Sequence, residues 1–163
     1  MAENDHIVKD LDIGYKAQFN LIELYKSLKY WFEVNGYTFY ERAYEDVIKG
    51  GKKTVKIKWQ GIKRIDDYSR LIVMINLKIG NYEIIETKKE KLVDGNLKLS
   101  FAGDLESDYE EKWEDRPIWK FLRGVSDRFF TEKKRNMYEN MLKDDTYDVF
   151  NKAKSFLNLY KFR

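Results

Sequence analysis

Cysteine is missing from all 163 residues, and proline and histidine occur once each. Without thiols, disulfides, thiolate metal sites and Cys nucleophiles are excluded, and a disulfide-stapled secreted scaffold goes with them. The lone His6 has no second imidazole with which to share a metal and lies in a segment without a sustained period, so no ligand or general-base role is assigned to it. No run approaches the ~18 apolar residues of a membrane-spanning helix, and residues 1–12 are polar and acidic with no apolar stretch behind a basic one. A soluble, cytoplasmic chain without a membrane span is the expectation. Charge of one sign is lacking too: Lys+Arg at 31 against Asp+Glu at 28 leaves +3, so any electrostatic message is local. There is no Walker loop, no G-x-G-x-x-G, no nucleophile elbow and no Cys/His metal spacing. The sequence therefore implies no cofactor, no metal and no catalytic residue.

What is present is apolar and aromatic: 43% hydrophobic residues, with 12 Tyr, 10 Phe and 4 Trp, which is too much for a disordered chain. The length suits one domain, 1–163, and no Pro-, Ser- or Gly-rich linker divides it. Residues 1–17 read as a partly ordered lead-in with a short strand around Ile7 to Ile13. Leu21, Leu24, Tyr25, Leu28, Trp31 and Phe32 then recur at helical spacing, with Asn20 as N-cap and Asn35-Gly36 as the stop.

From Tyr37 the period changes to two, and five strands are predicted: Tyr37 to Ile48, Thr54 to Ile65, Ser69 to Ile79, Tyr82 to Leu92 and Leu97 to Leu105. Turns are placed at Gly50-Gly51, Gly80-Asn81 and Asp94-Gly95-Asn96, and a bulge at Gly61. Gly50-Gly51 before Lys52 and Lys53 reads as a hairpin turn rather than a phosphate cradle. The third strand, apolar on both faces from Leu71 to Ile75, is expected at the centre of the sheet. Three helical stripes close the chain, beginning near Pro117, Thr131 and Thr146. The predicted fold is α+β, a five-stranded antiparallel β-meander, six-stranded if the lead-in joins it. One amphipathic helix precedes it and two or three helices pack on it afterwards.

Two stretches carry unbalanced charge. The first holds Lys49, Lys52, Lys53, Lys56, Lys58, Lys63, Arg64 and Arg70, with Lys56 and Lys58 on the polar face of one strand. It reads either as a positive stripe for phosphates or an acidic partner, or as an edge strand guarded by lysines against aggregation. The second, from Asp104 to Arg116, is dominated by seven carboxylates and leads into a Trp-rich helix start. It reads as a solvated acidic rim before a helix N-terminus, and pairing between the two stretches is a third reading of the same charges. Trp113 and Trp119 with Arg116 and Arg123 are suited either to packing on the sheet or to an aromatic, cation-π anchor for a partner.

The D-Y-x-x-x-W-x-x-x-P-x-x-x-F-L-R-G run from Asp108 to Gly124 is joined by a G-Y-x-x-x-E-x-x-Y stretch from Gly36 and a W-x-x-x-x-x-I-D-D-Y stretch from Trp59. In these motifs the chain resembles a family of small archaeal proteins to which no activity is attached. The resemblance implies no cofactor and no partner.

Three functional classes follow. The first is a non-enzymatic interaction module that meets a protein partner or a second copy of itself. The second is a helix-grip, START-like binder of an apolar small molecule, held between a curved sheet and the C-terminal helix. The third is an RNA- or ribosome-associated protein. The candidate partner-binding residues are Lys53, Lys56, Lys58, Lys63, Arg64, Trp113, Arg116, Trp119 and Arg123.

Overall fold

A computed structural model describes residues 3–107 and 131–161. Their element order is β1 (Glu3–Phe19), α1 (Leu21–Val34), β2 (Thr38–Lys49), β3 (Lys52–Arg64), β4 (Ser69–Glu86), β5 (Lys91–Ser107) and α2 (Thr131–Lys161). The strands form one antiparallel sheet in the order β1-β5-β4-β3-β2, so the chain is α+β with one helix before the meander and one described after it.

Helix α1 starts and stops where its sequence signals stand. The Asn20 side chain accepts the Glu23 N–H at 3.1 Å, and Gly36 takes φ of 82° just past the last turn. Gly50 and Gly51 both have positive φ and turn β2 into β3, as a two-residue hairpin with right-handed strand twist requires.

Four predicted features are corrected. The lead-in is a 17-residue strand: β1 lies along β5 from Glu3↔Ser107 to Phe19↔Val93. Register shifts between His6, Val8 and Leu11 break its alternation into short pieces, which conceals the period. Gly80-Asn81 does not reverse the chain; β4 runs through it with an irregularity between Gly80 and Glu83. Asn81 does adopt φ of 50°, but a bulge uses that conformation as well as a turn does. The reversal falls instead at Thr87 to Glu90, where the Thr87 hydroxyl donates to the Glu90 carbonyl at 2.9 Å. Asp94-Gly95-Asn96 is interior to β5, so the four strands β2 to β5 occupy the stretch read as five.

The third correction concerns Gly61, which pairs with Val73 in unbroken β3–β4 register; the bulge of this hairpin is on β2, between Glu41 and Ala43. Gly61 is small for a packing reason: a Cβ there would lie 2.3 Å from the Phe32 ring of α1. The fourth is that residues 131–161 form one helix of 31 residues, with no restart at Thr146. Thr146 is fully buried, donates its hydroxyl to the Leu142 carbonyl at 2.7 Å, and lies 2.6 Å from where a Gly103 Cβ would stand. Its capping chemistry is spent inside the helix. The helix predicted from Pro117 lies outside the described residues.

Both helices cover one face of the sheet. Val55, Ile57, Trp59, Leu71, Val73, Ile75, Leu77, Leu99 and Phe101 point inward, at most 7% exposed, against Leu24, Leu28 and Phe32 of α1 and Leu142, Val149 and Leu157 of α2. Central placement of the Leu71–Ile75 stretch holds, since β4 is the third of the five strands. The Glu90 carboxylate at the β4–β5 turn accepts from Asn20 at 3.0 Å and Tyr160 at 3.3 Å, tying the start of α1 to the end of α2. No described helix is long and apolar enough to cross a membrane.

Candidate functional site

With the helices on the inner face, the opposite face is built from the alternate residues of each strand, and the register shows which meet. Glu45, Lys56, Lys78, Lys98 and Gly14 form one row across β2, β3, β4, β5 and β1. Ala43, Lys58, Asn76, Ser100 and Asp12 form the next. Lys56, Lys78 and Lys98 are therefore direct cross-strand neighbours on three adjacent strands, with Lys58 one row away and Lys16 near by on β1. All five lysines are exposed. None makes an ion pair among the described residues, although Glu45 ends one row and Asp12 the other. The Asp12 carboxylate is engaged by the Ser100 hydroxyl, which donates to it at 2.6 Å. The two rows enclose a shallow depression of about 420 Å³ over the backbone of Ile57 and Leu77.

The physical cost of the lysine row is plain. Like charges directly opposite each other in a sheet repel, and an ordinary solvated face alternates them with carboxylates. The edge-guarding reading of the β3 lysines fails, because β2 is the edge and β3 is paired on both sides.

The residues proposed from sequence separate by parity. Lys56 and Lys58 belong to the outer face. Lys53 has the inner parity near the hairpin end, and Lys63 points to the helix side, with its Nζ 4.0 Å from Asp145 and 5.4 Å from the Tyr37 ring centroid. Arg64 has the outer parity but donates to Asp67 at 2.7 Å. Arg70 donates to Glu106, so one pair between the basic and acidic stretches does form. Trp113, Arg116, Trp119 and Arg123, and the acidic stretch from Asp108 onward, lie outside the described residues. Sequence reasoning missed Lys78 and Lys98. Each alternates with buried aliphatics in its own strand, but only the register places them beside Lys56.

Other polar groups serve the frame. Asp145 and Asp148 of α2 accept from the Tyr37 hydroxyl and the Trp31 indole, both at 2.7 Å, and Asp66 accepts from the Tyr138 hydroxyl at 2.8 Å. Burial, reinforced by the Asp145 hydrogen bond, pushes the Tyr37 phenol far up; burial and the Asp66 bond push Tyr138 up to about 12. Burial also raises the Tyr15 phenol, whose oxygen, like the Trp59 indole nitrogen, is buried with no hydrogen-bond partner among the described residues. His6 is part of β1, not of a loose segment, and its Nδ1 lies 2.7 Å from the buried Asp104 carboxylate. Among the described residues no three His, Cys, Asp or Glu side chains are grouped to hold a metal. A larger hollow, about 660 Å³, follows Lys133, Asn136, Met137, Asn140 and Asp144. Those residues all belong to one helix, so among the described residues no second element converges on a ligand there.

No protein-family model, no curated protein and no solved structure matches this chain. The reading of the site therefore rests on its geometry.

Proposed function

We propose that the chain is a non-enzymatic binding module whose outer sheet face meets an anionic partner. The observation that carries this is the in-register row Lys56, Lys78 and Lys98, exposed and, among the described residues, without ion-paired carboxylates. An anion laid across the row would relieve a repulsion that the fold otherwise tolerates for no return.

Retention on a heparin matrix tests this, because the net charge of +3 is too small to hold the protein by itself. Lys56→Gln/Lys78→Gln/Lys98→Gln is expected to elute at clearly lower salt than Lys134→Gln/Lys143→Gln/Lys152→Gln, which removes the same charge from exposed positions of α2. Equal shifts by the two variants would remove the outer face from consideration.

A second reading has one observation in its favour. β1 supplies the strand before the first helix and α2 the long C-terminal helix on the inner face that a helix-grip binder of apolar molecules needs, although that fold normally has more than these five strands. The unpartnered Trp59 N–H and Tyr15 hydroxyl would serve as polar anchors for such a ligand. Against it stand the contacts at Gly61 and Gly103, where Phe32 and Thr146 lie so close that the helices rest directly on the strands. Space for a drug-sized ligand would have to open there, so the outer-face reading is preferred.

A further inference from the structure

We infer that the anionic partner is the phosphodiester backbone of a nucleic acid, gripped by charge and not read by base. The inference rests on the outer-face reading above and adds the partner's chemistry.

The residue types on the face choose between anions. Protein–protein interfaces are enriched in aromatics and Arg and depleted in Lys. Here the cations with no ion-pair partner among the described residues are Lys56, Lys58, Lys78, Lys98 and Lys16. Arg64 and Arg70, at the far end of the same face, are engaged by Asp67 and Glu106. An acidic protein surface would find few of the contacts that hold such surfaces together. Phosphates need only point charges on flexible stems, and lysine supplies them.

Spacing agrees. Adjacent strands lie about 4.8 Å apart, so the row Lys56, Lys78 and Lys98 covers roughly 10 Å, and Lys58 stands about 7 Å along the strand from Lys56. With Lys16 about 7 Å further along β1 than the end of that row, this is an area for about four phosphates, with each ammonium free to adjust along its stem. The Asn76 side chain, between Lys58 and Ser100, has no hydrogen-bond partner among the described residues and supplies a neutral donor in the middle of the patch. Base reading lacks its means. The outer-parity aromatic of β2, Tyr40, carries the Arg42 guanidinium 4.5 Å above its ring, and Arg42 in turn donates to Gln60. Neither the lysine row nor its neighbour contains an aromatic on which a base could stack, so binding is indifferent to sequence.

Fluorescence anisotropy of the full chain with labelled oligouridylate, single-stranded oligothymidylate and a DNA duplex tests this, with a polyglutamate peptide in parallel. The expected result is binding of nucleic acid whose log K falls against log salt with a slope of about −3 on single strands, four neutralised phosphates at about −0.7 each. Across about 50 to 200 mM salt that is a loss of some tens of fold. Lys56→Gln/Lys78→Gln/Lys98→Gln is expected to weaken binding more than tenfold and to flatten the slope by about 2, while the matched α2 variant leaves both unchanged. The ranking of the three nucleic acids then states which one the face suits. No nucleic-acid binding at the lowest salt, or equal weakening by the two variants, overturns the inference. Polyglutamate bound through the same lysines without nucleic-acid binding overturns it too, while leaving the outer-face function standing.

Discussion

At two positions the helices approach the sheet so closely that only a hydrogen fits on the α-carbon. A methyl at Gly61 would meet the buried Phe32 ring at 2.3 Å, and one at Gly103 would meet Thr146 Oγ1 at 2.6 Å and Leu142 at 3.1 Å. Gly61→Ala and Gly103→Ala are each expected to cost about 1–3 kcal/mol through overpacking, read as a lower denaturant midpoint at unchanged slope. The buried tyrosines give a pH signature. Tyr138 keeps its proton up to about 12 in the fold against an ordinary value of 10.0, and Tyr37 is raised further. A phenol that holds its proton longer when folded adds stability that is complete below pH 10 and disappears as pH rises through the folded value. Denaturant midpoints should therefore fall from pH 9 toward pH 12 more steeply in the native chain than in Tyr37→Phe/Tyr138→Phe. Parallel curves would show that these hydroxyls do not carry the effect. Neither pairing was legible beforehand, because Asp145 lies 108 positions from Tyr37 and Asp66 lies 72 from Tyr138, and only the fold brings them together.

Between strands, the lysine row is a local conflict that a single substitution relieves. Lys78 stands between Lys56 and Lys98, so Lys78→Glu exchanges two repulsions for two attractions. It is expected to raise stability by up to about 1 kcal/mol in chemical denaturation while it lowers heparin retention. A variant that gains stability and loses binding would mark the row as selected for something other than folding. A destabilised Lys78→Glu would mean that the row carries no strain to relieve. Element identity was legible wherever one local signal acted alone: Asn20 and Gly36 bound α1, and Gly50-Gly51 turns β2 into β3. It was illegible where one local chemistry serves two geometries. Asn81 in the left-handed region suits a turn or a bulge, and Thr146 suits a cap or a buried hydroxyl bonded one turn back. The candidate site divided the same way. Lys56 and Lys58 share a strand and were visible as a pair, whereas Lys78 and Lys98 join them only through pairings that no single strand encodes.

For the molecule as a whole, the two faces of the sheet have different tasks. The inner one is filled by α1 and α2, with rings in contact such as Tyr25 against Phe39 and Trp59 at 5.6 Å each, and it holds the fold. The outer one carries exposed lysines at its middle and no described helix, and it is where the heparin and nucleic-acid experiments look. This division would let a chain with net charge of only +3 bind the proposed polyanion. Carboxylates such as Asp66, Asp145 and Asp148 are occupied on the helix side by tyrosine and tryptophan donors, so the sum of charges says little about the field over the other side.

The pairing of β1 with β5 also has a consequence in time. His6 and Asp104 touch across 98 positions of sequence, so β1 leaves the ribosome long before β5 and must wait for that partner to exist. Such a non-local closure slows folding, and until it happens the inward residues of β1, Ile13 and Tyr15 among them, have no β5 to lie along. The acidic residues scattered through that strand, Asp5, Asp10 and Asp12, would keep it apart from other nascent chains during the wait. Their placement fits the interval before the fold exists as well as the fold itself.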